Sequence, residues 1–129
     1  MGNIFTALNS GRIAGLNTET DAGALEWNPH PTFAGVAMKH LMTGKDTDGR
    51  FSTHLVRLEP GAKIGDHIHE KSWELHEVAD GSGVCLLNGQ CIEYQPGVAA
   101  VMPESVSHSV EAGEDGLCLL AKFVPALMD

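Results

Sequence analysis

The chain has 129 residues, enough for one domain with a buried core and too few for two. Hydrophobic residues make up 43% of it and charged residues 19%, a balance typical of folded globular proteins. The net charge is −9, and the lysines and arginines form no cluster. These values argue against nucleic acid and anionic membranes as partners.

The compartment is predicted from the N-terminus and the cysteines. Residues 1–8 lack the basic start and long apolar run of a signal peptide, and no later stretch is long enough to cross a bilayer. Cys85, Cys91 and Cys118 are odd in number and are not arranged as Cys-x-x-Cys. We therefore expect reduced, mostly buried thiols in a cytoplasmic protein.

The first 30 residues differ in composition from the remainder. They are rich in Asn, Thr, Gly and Ala, contain Trp27, and lead into the turn-forming sequence Asn28-Pro29-His30-Pro31. We interpret residues 1–30 as an irregular or short-helical lead-in that packs on the main domain or on a neighbouring subunit. Residues 31–129 then form the main domain.

From Phe33 onward, short apolar runs alternate with turn residues, and no convincing amphipathic helix is present. The dipeptide Asn88-Gly89 is typical of a tight hairpin. The pattern predicts an all-β barrel or sandwich. Nine strands are expected, at residues 33–41, 51–58, 63–68, 73–78, 84–87, 91–94, 98–102, 107–111 and 117–124.

Two histidines separated by a single residue, His67 and His69, point to a metal site. Alternation along a strand places His67 and His69 on the same face, where buried ring nitrogens would need partners. A metal ion satisfies both rings at once. Glu74 lies early on the next strand, and an antiparallel pairing of that strand could bring its carboxylate back to the two histidines. Its rivals, Glu70 and Glu77, face away by the same alternation.

The spacing of these residues resembles the two motifs of the cupin family, in particular its small single-domain bacterial members. The first motif is matched by Gly61, His67, His69, Glu74 and Gly81, and the second by Gly97, Pro103 and His108. Ser105 and Ala112 stand where the family usually has Gly and Asn. A left-handed backbone at Ser105 would cost about 1 kcal/mol.

The resemblance implies a cupin jelly-roll β-barrel that binds one divalent transition metal ion (Fe, Zn, Ni or Mn) through His67, His69, Glu74 and His108. An octahedral ion would keep two positions open for water or a small-molecule ligand, as catalysis requires. We therefore expect a metal-dependent enzyme acting on a small oxygen-rich or acidic metabolite, by oxygenation, decarboxylation, lyase or isomerase chemistry. The alternatives are a non-catalytic module that binds a small ligand or a metal, and a barrel whose metal is structural.

Three further residues are candidates for the site, each with a structural alternative. His76 shares the face of Glu74 and is a general base, a fifth metal ligand or a core histidine. Tyr94, the single tyrosine, either transfers protons or packs in the core. Arg57 could bind a substrate carboxylate if its side chain faces inward. His54 lies on the same strand with opposite parity, so only one of these two side chains can face inward.

Small cupins commonly pair, so the resemblance also implies a homodimer. The predicted contact elements are residues 1–30 and the apolar last strand, 117–124. Trp73 is expected to face outward and is a further candidate for the subunit contact.

Overall fold

The computed structural model describes residues 3–128, and antiparallel strands dominate this part of the chain. Two short α-helices, α1 (Ile4–Asn9) and α2 (Gly44–Thr47), and one 3-10 turn (Ala22–Ala24) accompany them. The strands are β1 (Arg12–Gly15), β2 (Thr18–Asp21), β3 (Asn28–Pro29), β4 (Val36–Met42), β5 (Ser52–Leu58), β6 (Lys63–His67), β7 (Trp73–Leu87), β8 (Gln90–Tyr94), β9 (Ala99–Met102) and β10 (His108–Val124).

Strand β10 is the element around which the barrel is built. It pairs with β7 along its whole length, with β6 near its start and with β5 along its second half. The eight-stranded sheet has the order β3-β4-β5-β10-β7-β8, with β6 added to β10 and β9 added to β7. Because one long strand serves several partners, the sheet curls on itself, and the predicted all-β jelly-roll barrel is confirmed.

Two of the structure's strands each combine two predicted ones. The stretches 73–78 and 84–87 belong to the single strand β7, and 107–111 and 117–124 fall in β10, apart from Ser107. The pairing of the two strands is irregular where Gly81 of β7 meets Gly116 of β10. The backbones are so close at this point that a Cβ on Gly81 would lie 2.1 Å from the Gly116 carbonyl oxygen. The glycines therefore allow a close backbone approach without ending the strands.

The turns follow local chemistry. Asn88 and Gly89 both have positive φ, 48° and 82°, as a two-residue hairpin of type I′ requires between β7 and β8. The connection between β4 and β5 contains helix α2, which begins with a capping box formed by Thr43 and Asp46.

The core consists of side chains that alternate inward along the long strands. On β10, Leu117, Leu119, Ala121 and Phe123 are each no more than 2% exposed. Each large side chain buried in this way contributes roughly 1.5–3 kcal/mol to folding. The same alternation on β7 buries Glu74 and His76 along with Val78, so polar groups enter the barrel interior at one place.

Besides the pairing of β3 with β4, the contacts between residues 3–30 and the barrel include two cations and one aromatic ring. The Lys39 ammonium donates hydrogen bonds to the backbone oxygens of Asn9 (3.0 Å) and Ala22 (2.9 Å). The Trp27 ring lies beside both Lys39 and Arg57, with the Arg57 guanidinium 4.1 Å from the ring centroid. Between residues 3 and 128, no helix has the length and apolar character needed to span a membrane.

Candidate metal centre

Four side chains meet inside the barrel and are called the ligand cluster below: His67, His69, Glu74 and His108. His67 ends β6, His69 lies in the following loop, Glu74 is near the start of β7 and His108 begins β10. His67 and His108 are direct neighbours across the β6–β10 pairing. One nitrogen or oxygen atom from each of the four residues lies within 4.8 Å of the others. The structure thus brings together all four predicted ligands.

Backbone carbonyls fix the orientation of two of the rings. Nδ1 of His67 lies 2.8 Å from the Gly65 oxygen, and Nδ1 of His108 lies 3.3 Å from the Val106 oxygen. We assign the proton to Nδ1 in both rings, because a carbonyl only accepts; this leaves each Nε2 with a free lone pair. Burial lowers the pKa of His67, so that ring is neutral at pH 7, as a metal ligand must be.

The His69 loop is held by Ser105, one of the two residues that depart from the usual motif. Ser105 has φ 63°, so its backbone is left-handed, and its amide donates a hydrogen bond to the His69 oxygen over 2.8 Å. The strained residue therefore supports the loop that carries a member of the ligand cluster.

The donor set fits a divalent transition metal. Glu74 Oε1 and His108 Nε2 are buried and have no aligned hydrogen-bond partner among the described residues, although they lie 3.0 Å apart. Ligands about 2.1 Å from one ion lie up to roughly 4.2 Å apart, so an inward shift of a few tenths of an ångström brings the cluster to that spread. Three imidazoles and one carboxylate suit Zn, Fe, Ni and Mn better than Ca or Mg.

Glu74 supplies a permanent negative charge to the cluster. Burial by itself would raise the pKa of Glu74, but the facing His76 and the contacts from His108 and His69 outweigh it and hold the pKa well below its ordinary value. The carboxylate is therefore ionised at pH 7. Its two oxygens are divided: Oε1 faces His69 (3.3 Å) and His108 (3.0 Å), while Oε2 faces away from these rings.

A buried chain of polar groups lies behind Glu74. Oε2 is 2.8 Å from His76 Nε2, and His76 Nδ1 is 2.8 Å from the Tyr94 hydroxyl. His76 is 4% exposed and Tyr94 only 1%, and burial raises the pKa of the Tyr94 phenol. The two residues therefore orient Glu74 in the way that outer-shell partners orient metal ligands. The buried position of His76 and Tyr94 therefore favours a role in positioning Glu74 over the predicted transfer of protons to a substrate.

Arg57 lies on the outer face of β5, where its guanidinium stacks on Trp27. His54, of opposite parity, is the residue that points inward and is 1% exposed. The alternation rule required one of the two to face the interior but could not say which. The substrate-clamp interpretation of Arg57 finds no support in this orientation, because the side chain contacts residues 3–30 and not the ligand cluster.

Sequence reasoning missed a second polar cluster. Nδ1 of His40 lies 2.8 Å from Nδ1 of His54, and His54 Nε2 lies 2.8 Å from the Ser52 hydroxyl. The signal was available only as matched alternation on two strands, since His40 and His54 are neighbours across the β4–β5 pairing. Their separation in sequence matches no motif, so nothing in the local sequence of His40 indicates this contact.

Comparisons with known proteins agree with this fold. A family model described as a cupin domain matches residues 54–121. Two curated proteins are similar over most of the chain. They are dimethylsulfoniopropionate lyase DddW of Ruegeria pomeroyi (28% identity over 97 residues, 74% of this chain and 63% of that protein) and an oxalate-binding protein of Thermotoga maritima (29% over 91 residues, 69% and 75%).

A solved structure has the same fold. It is a predicted oxalate decarboxylase from Thermotoga maritima, with a TM-score of 0.73 and 25% identity over 80% of this chain and 95% of the other. The match to the lyase spans less than two thirds of that protein's length.

Proposed function

Because this chain belongs to the cupin family, we propose that its ligand cluster holds one divalent transition metal ion. The observation that carries the proposal is the pair of buried, unpartnered ligand atoms, Glu74 Oε1 and His108 Nε2, which face each other without a hydrogen bond. Buried polar atoms without partners cost roughly 1–3 kcal/mol each, and a bound cation removes this cost for both atoms.

We further propose that the protein is a metal-dependent enzyme acting on a small oxygen-rich or acidic metabolite. When bound, the ion would supply Lewis acidity and coordinate a substrate carboxylate or enolate. The protein's own residues hold the ligand geometry: backbone carbonyls orient His67 and His108, and His76 orients Glu74. The names of two relatives support the substrate class, since dimethylsulfoniopropionate and oxalate are both small carboxylates.

A second function, a non-catalytic module that captures a small carboxylate, is favoured by one observation. His76 and Tyr94 are buried and hydrogen-bonded to each other, so neither is free to exchange protons with a ligand on the metal. An enzyme needs some such group within reach of the open metal positions, whereas a binding protein does not.

The first test is metal content. Protein purified without an affinity tag or added metal should contain about one equivalent of a single transition metal by mass spectrometry, and His69→Ala should lose it. His30→Ala, outside the cluster, should keep it. An equivalent of metal in the His69→Ala variant would show that the ligand set is wrong.

The same preparation separates enzyme from binder. The metal-loaded protein is incubated with oxalate and other small carboxylates and followed by NMR. An enzyme consumes a substrate over many turnovers, and His69→Ala does not. Saturable binding with no product over the whole panel would favour the binding module.

We also propose that two copies associate through an apolar patch made of Phe51, Trp73, Val101 and Val124. These side chains are 40–56% exposed and, with Glu74, Leu75 and Lys122, line a hollow of about 310 Å³ on the outer face of the sheet. Val124 belongs to the last strand, one of the predicted contact elements. Exposed apolar clusters of this kind are typical of subunit interfaces.

Light scattering during size-exclusion chromatography tests the dimer. The parent chain should elute as a dimer, and the double variant Trp73→Glu with Val124→Glu as a monomer, because buried unpaired carboxylates oppose association. Leu86→Glu, outside the patch, is the control. A dimer that survives the double substitution would exclude this patch, and deletion of residues 1–30 would then test the other predicted contact element.

The cysteines support the proposed cytoplasmic location. Cys85, Cys91 and Cys118 are all free thiols, and burial raises the pKa of Cys85 and Cys118, which keeps those two unreactive. A disulfide detected in protein isolated under alkylating conditions would contradict this location.

A further inference from the structure

A polar relay separate from the ligand cluster lies farther along the same sheet, on the neighbouring strands β4 and β5. It consists of His40 on β4 and of His54 and Ser52 on β5, joined by two contacts of 2.8 Å. The Phe123 ring lies between the relay and the cluster, 5.5 Å from the His54 ring and 4.9 Å from the His69 ring. The relay therefore does not contact the proposed metal ligands.

The hydrogen bonds of Ser52 determine where the protons of the relay lie. The Ser52 oxygen accepts from the Leu127 amide over 2.9 Å, and within residues 3–128 His54 Nε2 is the one acceptor in reach of its hydroxyl proton. His54 must then carry its own proton on Nδ1 and donate it to His40 Nδ1. A neutral His40 consequently carries its proton on Nε2.

His40 is half-buried and borders a cavity of about 700 Å³, called the hairpin cavity below. The cavity lies between the β1–β2 hairpin on one side and β4 and α2 on the other. The hairpin forms a sheet of its own and is not paired with the barrel. Because Nδ1 of His40 is bonded to His54, the Nε2–H edge is the part of the ring that remains available to a ligand.

The lining of the hairpin cavity has a definite chemical character. Lys45 is exposed at its edge, and threonine hydroxyls come from both sides, including Thr20 and Thr47. The Asp46 carboxylate is engaged by the Thr43 amide at 2.8 Å. The remaining lining is largely apolar: Ile13, Leu16, Leu25, Met42 and Phe51.

We propose that the hairpin cavity is a second small-molecule site, which binds a monocarboxylate with an apolar portion. His40 Nε2–H and the Lys45 ammonium bind the carboxylate, and the apolar side chains of the hairpin and of β4 cover the remainder of the molecule. The volume lies within the range of small-ligand sites. His40 also borders a shallower hollow beside Glu26, but the described lining of that hollow has no lysine or arginine to bind an anion, whereas the hairpin cavity has Lys45 beside Asp46.

Hexanoate is the probe, and the protein is the full chain after treatment with a chelator, so that binding to a metal plays no part. Two-dimensional NMR of amides and imidazole nitrogens should show saturable shifts at His40 Nε2 and at the amides of β1 and β2. Hexan-1-ol, which has no charge, should bind at least about tenfold more weakly, because a charged partner roughly doubles hydrogen-bond strength.

Variants show which residues bind the probe. His40→Phe should weaken hexanoate binding at least tenfold, whereas His69→Ala, which removes a cluster ligand, should leave it unchanged. Lys45→Ala should also weaken binding, and because this side chain is exposed the variant provides a readout even if His40→Phe does not fold. Absence of saturable shifts, or shifts retained in Lys45→Ala and lost in His69→Ala, would overturn the proposal.

Discussion

Replacing Glu74 with glutamine is expected to weaken binding of a divalent transition metal by more than about a hundredfold. The carboxylate is the one acidic side chain in a cluster that otherwise consists of three histidines, and it is only 6% exposed. Without it, the charge of a buried dication has no compensation, and such a charge is costly in a low-dielectric interior. Isothermal titration calorimetry with Zn²⁺ on chelator-treated protein measures the change.

Two further variants show which residues contribute to the affinity for the metal. Glu70→Gln changes an exposed carboxylate four residues away and should leave the affinity unchanged. His76→Phe keeps all four cluster residues but removes the partner of Glu74 Oε2, so a loss of about 10- to 100-fold is expected. Unchanged affinity in Glu74→Gln would exclude Glu74 as a ligand, and a loss in Glu70→Gln would favour its rival.

The free energy of unfolding of the metal-free protein is expected to fall by about 2–3 kcal/mol between pH 6.5 and pH 4 because of His54 alone. Burial and the neighbouring His40 lower the pKa of His54 from 6.5 to about 4, against a smaller opposing effect of Glu74. In this window the unfolded chain binds a proton that the folded protein lacks, so acid favours unfolding. Above pH 6.5 both states are neutral at this residue and the full stability is present.

Urea denaturation at several pH values between 4 and 7.5 tests this dependence. His54→Gln removes the titrating ring, so its stability should change less than that of the parent between pH 6.5 and pH 4. His40→Gln removes one cause of the lowered pKa and should give an intermediate slope. If the parent and His54→Gln lose stability equally, His54 does not titrate as the structure indicates.

The ligand cluster could be predicted because it is encoded locally. His67 and His69 follow strand alternation, Glu74 lies a few residues on, and only His108 required the second motif. Apart from the long strands β7 and β10, most strands of the barrel are likewise short runs bounded by turn residues. The boundary at Gly81 could not be inferred, because a glycine that ends a strand and one that lets two backbones approach look the same in sequence.

What could not be predicted depends on pairings between distant residues. Alternation required either His54 or Arg57 to face inward, but the choice depends on how β5 pairs with β4 and β10. The same pairing makes His40 the partner of His54, and nothing in either residue's local sequence indicates it. His76 was predicted to face inward, but its bonds to Glu74 and Tyr94 became visible only in three dimensions.

The many partners of β10 also have a consequence for how the chain is made. This strand follows β5, β6 and β7 in the sequence and pairs with all three. During synthesis the earlier strands therefore emerge before their principal partner, and the barrel cannot close until residues 108–124 have left the ribosome. His108 arrives with that strand, so the ligand cluster forms only when the barrel closes. Pairings between residues so far apart in sequence are typical of slow-folding domains.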